Sequence, residues 1–154
     1  EGMLNTRPDP GATIIWKLNC GDHINYFINV FAANDPASTL DIWNQLQTQI
    51  KGYKTCIFLN TRKDRRYRTN QLLSLVFDKM KPDMLIVRGE KLSTKFHKYQ
   101  QENPEIKTMQ LPNNINIKVM MFEFSQLKNY YIVGIGNMVG WGEQFISDLK
   151  SYRV

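Results

Sequence analysis

Apolar residues in this chain fall into short runs separated by turn chemistry, and between runs they recur at helical spacing. Residues 13–18 (TIIWKL) and 24–31 (INYFINVF) are rich in β-branched and aromatic side chains, and Asn19-Cys20-Gly21-Asp22 between them is a turn signal, so the two runs predict a β-hairpin. At 29–39 the second run stops, a turn intervenes and a helical pattern begins. Asp35 suits an N-cap because its carboxylate accepts from the orphan N–H groups of a first turn, and Pro36 suits the first helical position because its missing donor costs nothing there. Leu40, Trp43, Leu46 and Ile50 follow on one helical face, with Gly52 placed as a C-cap.

The alternation continues. Residues 54–60 (KTCIFLN) suit a buried parallel strand. A basic loop follows, and Thr69 is placed to cap a helix with Leu72, Leu73, Val76, Phe77 and Met80 inward. Residues 83–88 (DMLIVR) read as a strand, 91–103 as a polar helix stopped by Pro104, and 106–109 as a short strand. Segment 113–127 shows both alternation and a helical stripe at Ile115, Val119 and Phe122, so periodicity leaves it open. Residues 130–135 (YYIVGI) are a strand and 141–152 a closing helix with Phe145, Ile146 and Leu149 inward. This order predicts an α/β fold: a Rossmann-like, mostly parallel sheet with helices on both faces and an N-terminal β-hairpin. Residues 1–12 read as a linker from an upstream domain, because their prolines and glycines forbid a regular element, and 13–154 as one domain.

Length and composition agree with a single domain: 154 residues, 42% hydrophobic. No apolar run is long enough for a membrane span and no signal-peptide layout opens the chain, which points to a cytoplasmic domain. Cys20 and Cys56 are too few for a disulfide framework and read as reduced thiols. His23 and His97 lie far apart, without metal-ligand spacing. Of the +6 net charge, residues 61–68 carry +4 through five basic residues and one acid. A concentrated basic loop is an address for an anion, whereas a uniformly basic surface suits nucleic acid.

In a parallel sheet, every loop that follows a strand lies on the edge where ligands bind. Those loops hold Asn29, Asn34 and Asp35; Arg62, Asp64, Arg65 and Arg68; Gly89 and Glu90; and Gly136, Asn137, Gly140 and Trp141. Backbone amides, helix N-termini and arginines attract phosphate or carboxylate, and no nucleophile is paired with a general base, so no catalytic residue and no metal ligand is assigned. The arginines read either as this anion site or as a solvated charge run, and Trp141 as a ligand cover or a packing residue. Gly134-x-Gly136-x-x-x-Gly140-x-Gly142 follows the last strand, not the first, so a tight strand-to-helix turn explains it better than a dinucleotide fingerprint. The chain holds no G-x-x-x-x-G-K-[ST], so any triphosphate needs another holder.

The run Asn29, Phe31, Ala32, Ala33, Asn34, Pro36 resembles the opening of the C-terminal domain of the Mur ligases and related folate-type ligases, with Val30 and Ala33 where those often have Asp and His. FAANDPAST, the arginine-rich segment and GIGNMVGWGE resemble the ligase subunit of poly-γ-glutamate synthase, over nearly the whole chain. The resemblance implies the C-terminal domain of an ATP-dependent amide ligase that polymerises glutamate through γ-linkages by way of an acyl phosphate. ATP and Mg would be held by an upstream P-loop domain, with none bound by the fragment alone, which would be inactive. Asn29, Asn34 and Asp35 would face the ribose or adenine, and the arginine loop a phosphate or a glutamate carboxylate. The implied partners are that P-loop domain, glutamate and the growing polymer, and membrane subunits that would hold the domain at the inner face of the membrane. No nucleic acid is expected. The resemblance also favours a helix within 113–127. The alternative is a basic nucleic-acid or nucleotide-binding module without catalysis.

Overall fold

The computed structural model describes residues 14–31, 35–62, 65–89, 94–137 and 140–149. The expected linker at 1–12 and three of the loop residues singled out above, Asn34, Asp64 and Glu90, lie outside them. β1 (Ile14–Asn19) and β2 (Ile24–Asn29) form the expected antiparallel pair, with Ile15 opposite Ile28. They join β3 (Lys54–Asn60), β4 (Met84–Gly89), β5 (Lys107–Pro112) and β6 (Tyr130–Gly136) in one sheet of order β1-β2-β6-β3-β4-β5. All contacts from β2 to β5 across this order are parallel.

Side chains alternate between two cores, one on each face of the sheet. On the first, α1 (Pro36–Gln49), α2 (Arg66–Leu75) and α3 (Thr94–Glu102) pack through Trp43, Leu46, Leu72, Leu73 and Phe96 against Ile28, Ile57, Leu85 and Val133. On the second, α4 (Ile117–Gln126) and α5 (Trp141–Leu149) bring Phe124 and Phe145 against Phe27 and Phe58. The rings there interlock edge-on or tilted, with Phe27 and Phe145 centroids 5.4 Å apart and Phe58 and Phe124 5.6 Å apart. This division follows from crossover handedness: the chain steps outward through β3, β4 and β5, then reverses to insert β6, and reversal moves the connecting helix to the other face.

Three local expectations are corrected and one open segment is resolved. Thr69 does not cap α2: the helix begins at Arg66, and Thr69 is a buried interior residue, because Arg66 and Arg68 are good helix formers that extend the helix into the basic segment. Gly52 does not cap α1 either. That helix ends at Gln49 with extended Ile50 as its cap, and Gly52 makes a left-handed turn beyond it. Segment 113–127 contains α4, capped by the Asn116 side chain accepting from Lys118 N–H at 2.7 Å. Its inward residues are Met120, Met121 and Phe124, whereas Val119 and Phe122 are 50% and 60% exposed. The helix is apolar nearly all round, so periodicity had no polar face to orient it. The strand expected at 106–109 runs from Lys107 to Pro112, which carries its end out to the same edge as β3 and β4.

At the edge where the parallel strands begin, buried polar groups are matched. Fully buried Asn25 donates to the carbonyls of Phe124 (3.1 Å) and Leu127 (2.8 Å) and accepts from Tyr130 N–H (2.9 Å). This one amide ties β2 to the end of α4 and the start of β6. At the surface of the same edge, Thr55 N–H donates to the Asp83 carboxylate at 2.8 Å while Asp83 N–H donates to the Thr55 hydroxyl at 3.0 Å, a reciprocal lock between β3 and the start of β4.

Candidate functional site

The opposite edge, where the parallel strands end, is built on a row running across four of them: Gly136, Asn60, Arg88 and Leu111 stand side by side. The chain leaves β3 for α2 on the first face and leaves β6 for α5 on the second. Neighbouring strands that exit to opposite faces create a crevice at their carboxyl ends.

Two groups of residues flank it. On the first face stand the N-termini of α1 and α2. Asp35 caps α1, accepting from Ser38 N–H at 2.8 Å and from the Ser38 hydroxyl at 3.0 Å, with Pro36 in the first turn. These bonds, with a smaller contribution from the Arg68 charge, hold the Asp35 carboxyl below the usual carboxylate range. Arg65 stands at the N-cap of α2 with no side-chain cap bond, its N–H bound to the Arg62 carbonyl at 3.0 Å, and the first turn carries no acid. Arg65 is exposed; Arg62 and Arg68 are half-buried. Asn29, at the end of β2, turns its side-chain oxygen to Phe31 N–H at 3.0 Å, which fixes the exit of the strand.

On the second face, Asn60 and Arg88 point toward α5. The Asn60 amide donates to the Asn137 carbonyl at 2.6 Å, while Asn137 N–H donates to the Asn60 carbonyl at 2.9 Å. Gly136 makes this turn with φ +101°, and a Cβ there would run into the Asn60 carbonyl. Arg88 Nη1 donates to the Asn60 side-chain oxygen at 2.9 Å, and Nη2 donates to the Asn113 carbonyl in the loop after β5. The guanidinium carbon lies 4.3 Å from the centre of the Trp141 indole, which stacks in turn on Phe145 at 5.1 Å and an interplanar angle of 10°. The N-terminus of α5 is closed by its own acid, since Gly140 N–H donates to Glu143 at 2.9 Å.

Of the residues expected at this edge, Asp35 and Arg68 stand on the first face, at the cap of α1 and in α2, and Asn137 and Trp141 on the second. Asn34 and Asp64 lie outside the described residues. Sequence reading missed Asn60, Arg88 and the loop at Asn113. The available signal was an arginine ending the otherwise apolar run DMLIVR, in register beside an asparagine ending KTCIFLN. Both thiols are free, Cys56 fully enclosed with its pKa pushed up by burial. Among the described residues no three His, Cys, Asp or Glu side chains converge, and no helix is long and apolar enough to cross a membrane.

Comparison with known proteins agrees with this architecture. Residues 16–152 match the family described as Poly-gamma-glutamate synthase CapB C-terminal domain. The chain is 34% identical over 158 residues to PGA synthase CapB of Bacillus subtilis (strain 168), covering all of this chain and 40% of that protein. It is also 34% identical over 160 residues to the Capsule biosynthesis protein CapB of Bacillus anthracis, again over all of this chain and 34% of that protein. The chain thus spans well under half the length of either relative. A solved domain from Haemophilus ducreyi 35000HP, of a protein described as a UDP-N-acetylmuramate:L-alanyl-gamma-D-glutamyl-medo-diaminopimelate ligase, superposes with a TM-score of 0.52 at 13% identity, over 82% of this chain and 89% of that one. That likeness is one of fold, and it is the Mur ligase-like α/β fold. From the extent of the family match and the identity over its whole length, the chain belongs to the poly-gamma-glutamate synthase CapB C-terminal domain family.

Proposed function

We propose that this chain is the C-terminal domain of an ATP-dependent amide ligase that polymerises glutamate through γ-linkages. Family membership supports the reading, together with one geometric observation: β2, β3, β4, β5 and β6 end at a single edge whose described residues carry amide and guanidinium donors, the chemistry that receives phosphates and carboxylates. In this reading a P-loop domain elsewhere in the protein holds ATP and Mg. ATP supplies the phosphoryl group that activates a γ-carboxylate as an acyl phosphate; the amine of the other reactant attacks that carbonyl carbon and phosphate leaves.

The residues of this chain bind and orient. Asn29, Asn34 and Asp35 face the nucleoside, and Arg62, Arg65 and Arg68, at a helix N-terminus without an acid in its first turn, receive a phosphate or a glutamate carboxylate. Gly136, Asn137, Gly140 and Trp141 shape the neighbouring wall. The growing polymer and membrane subunits of a synthase are the partners, and the site of action is the cytoplasmic face of the membrane.

The test is ATP-dependent formation of γ-linked polymer by the full-length protein. Arg62→Ala and Arg65→Ala are each expected to lower the rate about tenfold, the scale of one charge-assisted hydrogen bond, with the melting temperature unchanged. Unchanged rates would remove the loop from the site, and a full-length protein that makes no polymer from ATP and glutamate would remove the ligase reading.

A further inference from the structure

We infer that Arg88 is the receptor for an oxyanion, a carboxylate or phosphate oxygen, on the α4–α5 face of the strand ends. Arg88 is buried, 7% exposed, yet its two hydrogen-bonded partners are neutral, the Asn60 amide oxygen and the Asn113 carbonyl. Among the described residues no carboxylate pairs with it, and its Nε has no acceptor at all. Burial alone acts on its pKa, pulling it down, with no opposing charge to compensate.

An uncompensated cation in such a place costs stability, and an apolar side chain of similar volume would pack there at less expense. Neither the two neutral acceptors nor the Trp141 ring supplies the opposite charge that a buried guanidinium ordinarily pairs with. What the arrangement does accomplish is orientation. The fork is pinned between β3 and the loop after β5, and its plane is held against Trp141, so rotamer freedom is already lost before a ligand arrives. An arriving oxyanion exchanges a neutral acceptor for a charged one and answers the guanidinium with the missing opposite charge. Arg88 lies on the opposite face of the sheet from the Arg62–Arg68 segment, so the edge has two separate anion-binding positions.

The inference rests on the ligase reading only for the two candidate carriers of the anion, glutamate and the phosphates of ATP. The experiment titrates L-glutamate, and separately inorganic phosphate, into the full-length protein by calorimetry for wild type, Arg88→Lys and Arg88→Gln. Melting temperatures and the KM for glutamate and for ATP are measured alongside. The expected result is that Arg88→Gln weakens one of the two anions at least tenfold and raises the matching KM, and that Arg88→Lys falls between. Weakening of glutamate assigns a carboxylate, and weakening of phosphate assigns a phosphoryl group. Trp141→Phe, which keeps the cation and trims its platform, is expected to weaken the same anion by a smaller factor.

Wild-type affinity for both anions in Arg88→Gln, or a wild type that binds neither, would overturn the inference; so would a lowered melting temperature with affinities intact, the mark of a structural strut. Loss of anion binding in a protein that makes no polymer would keep Arg88 and remove the ligase reading. Polymer formation with unaltered anion binding in Arg88→Gln would do the reverse.

Discussion

Each edge of the parallel sheet holds a buried polar side chain, and the two are satisfied to different degrees. Where the strands begin, Asn25 makes three hydrogen bonds and Thr55 and Asp83 satisfy each other reciprocally. Where they end, Arg88 is equally enclosed but carries an unanswered charge and an orphan Nε. A complete network at low dielectric rigidifies, whereas an incomplete one costs stability and persists where something else selects for it. The contrast supports the proposed division, with stability at the first edge and ligand contact at the second.

Breaking the first edge has the largest expected effect. Asn25→Ala leaves the Tyr130 N–H and two carbonyls without partners and is expected to cost about 3 kcal/mol, read by chemical denaturation. Gly136→Ala comes next, at about 2 kcal/mol, because it forces a side chain into a left-handed conformation against the Asn60 carbonyl, and it should also disturb the neighbouring Asn137 turn. Arg88→Met, at the second edge, is expected to cost only about 1 kcal/mol, since the loss of donors to the Asn60 side chain and the Asn113 carbonyl is offset by exchanging a buried cation for an apolar chain. A loss as large as that of Asn25→Ala would erase the contrast between the edges. The smallest effect belongs to Asp35→Ala. The Asp35 carboxyl is depressed in the folded state, so its stabilisation is present above the ordinary carboxylate pKa of about 4 and is lost as pH falls through the depressed value. Thermal melts should separate wild type from Asp35→Ala at pH 7 and converge in strong acid.

Much of the fold was readable in the sequence because its signals were local. Asp35 and Pro36 announce the start of α1, and β-branched runs mark the strands. What escaped depended on neighbours distant in sequence. The apolar girdle of α4 could not reveal that Met120 and Phe124, not Val119 and Phe122, would meet the sheet. Thr69 reads as a cap by residue type, and only the helix continuing through Arg66 to Arg68 makes it interior. The candidate edge was half legible: loops after strands could be named, but the pairing of Asn60 with Arg88, 28 residues apart, and the closure onto Trp141 exist only once β6 inserts between β2 and β3.

Hydrogen exchange on the full-length protein, with and without ATP and glutamate, tests the division of the sheet most directly. Protection is expected in peptides covering 60–68, 88–89, 113–116 and 136–142, with peptides covering 24–26, 54–56 and 127–131 unchanged. Ligand-dependent protection confined to the second set would contradict the assignment of the strand ends as the ligand-facing edge.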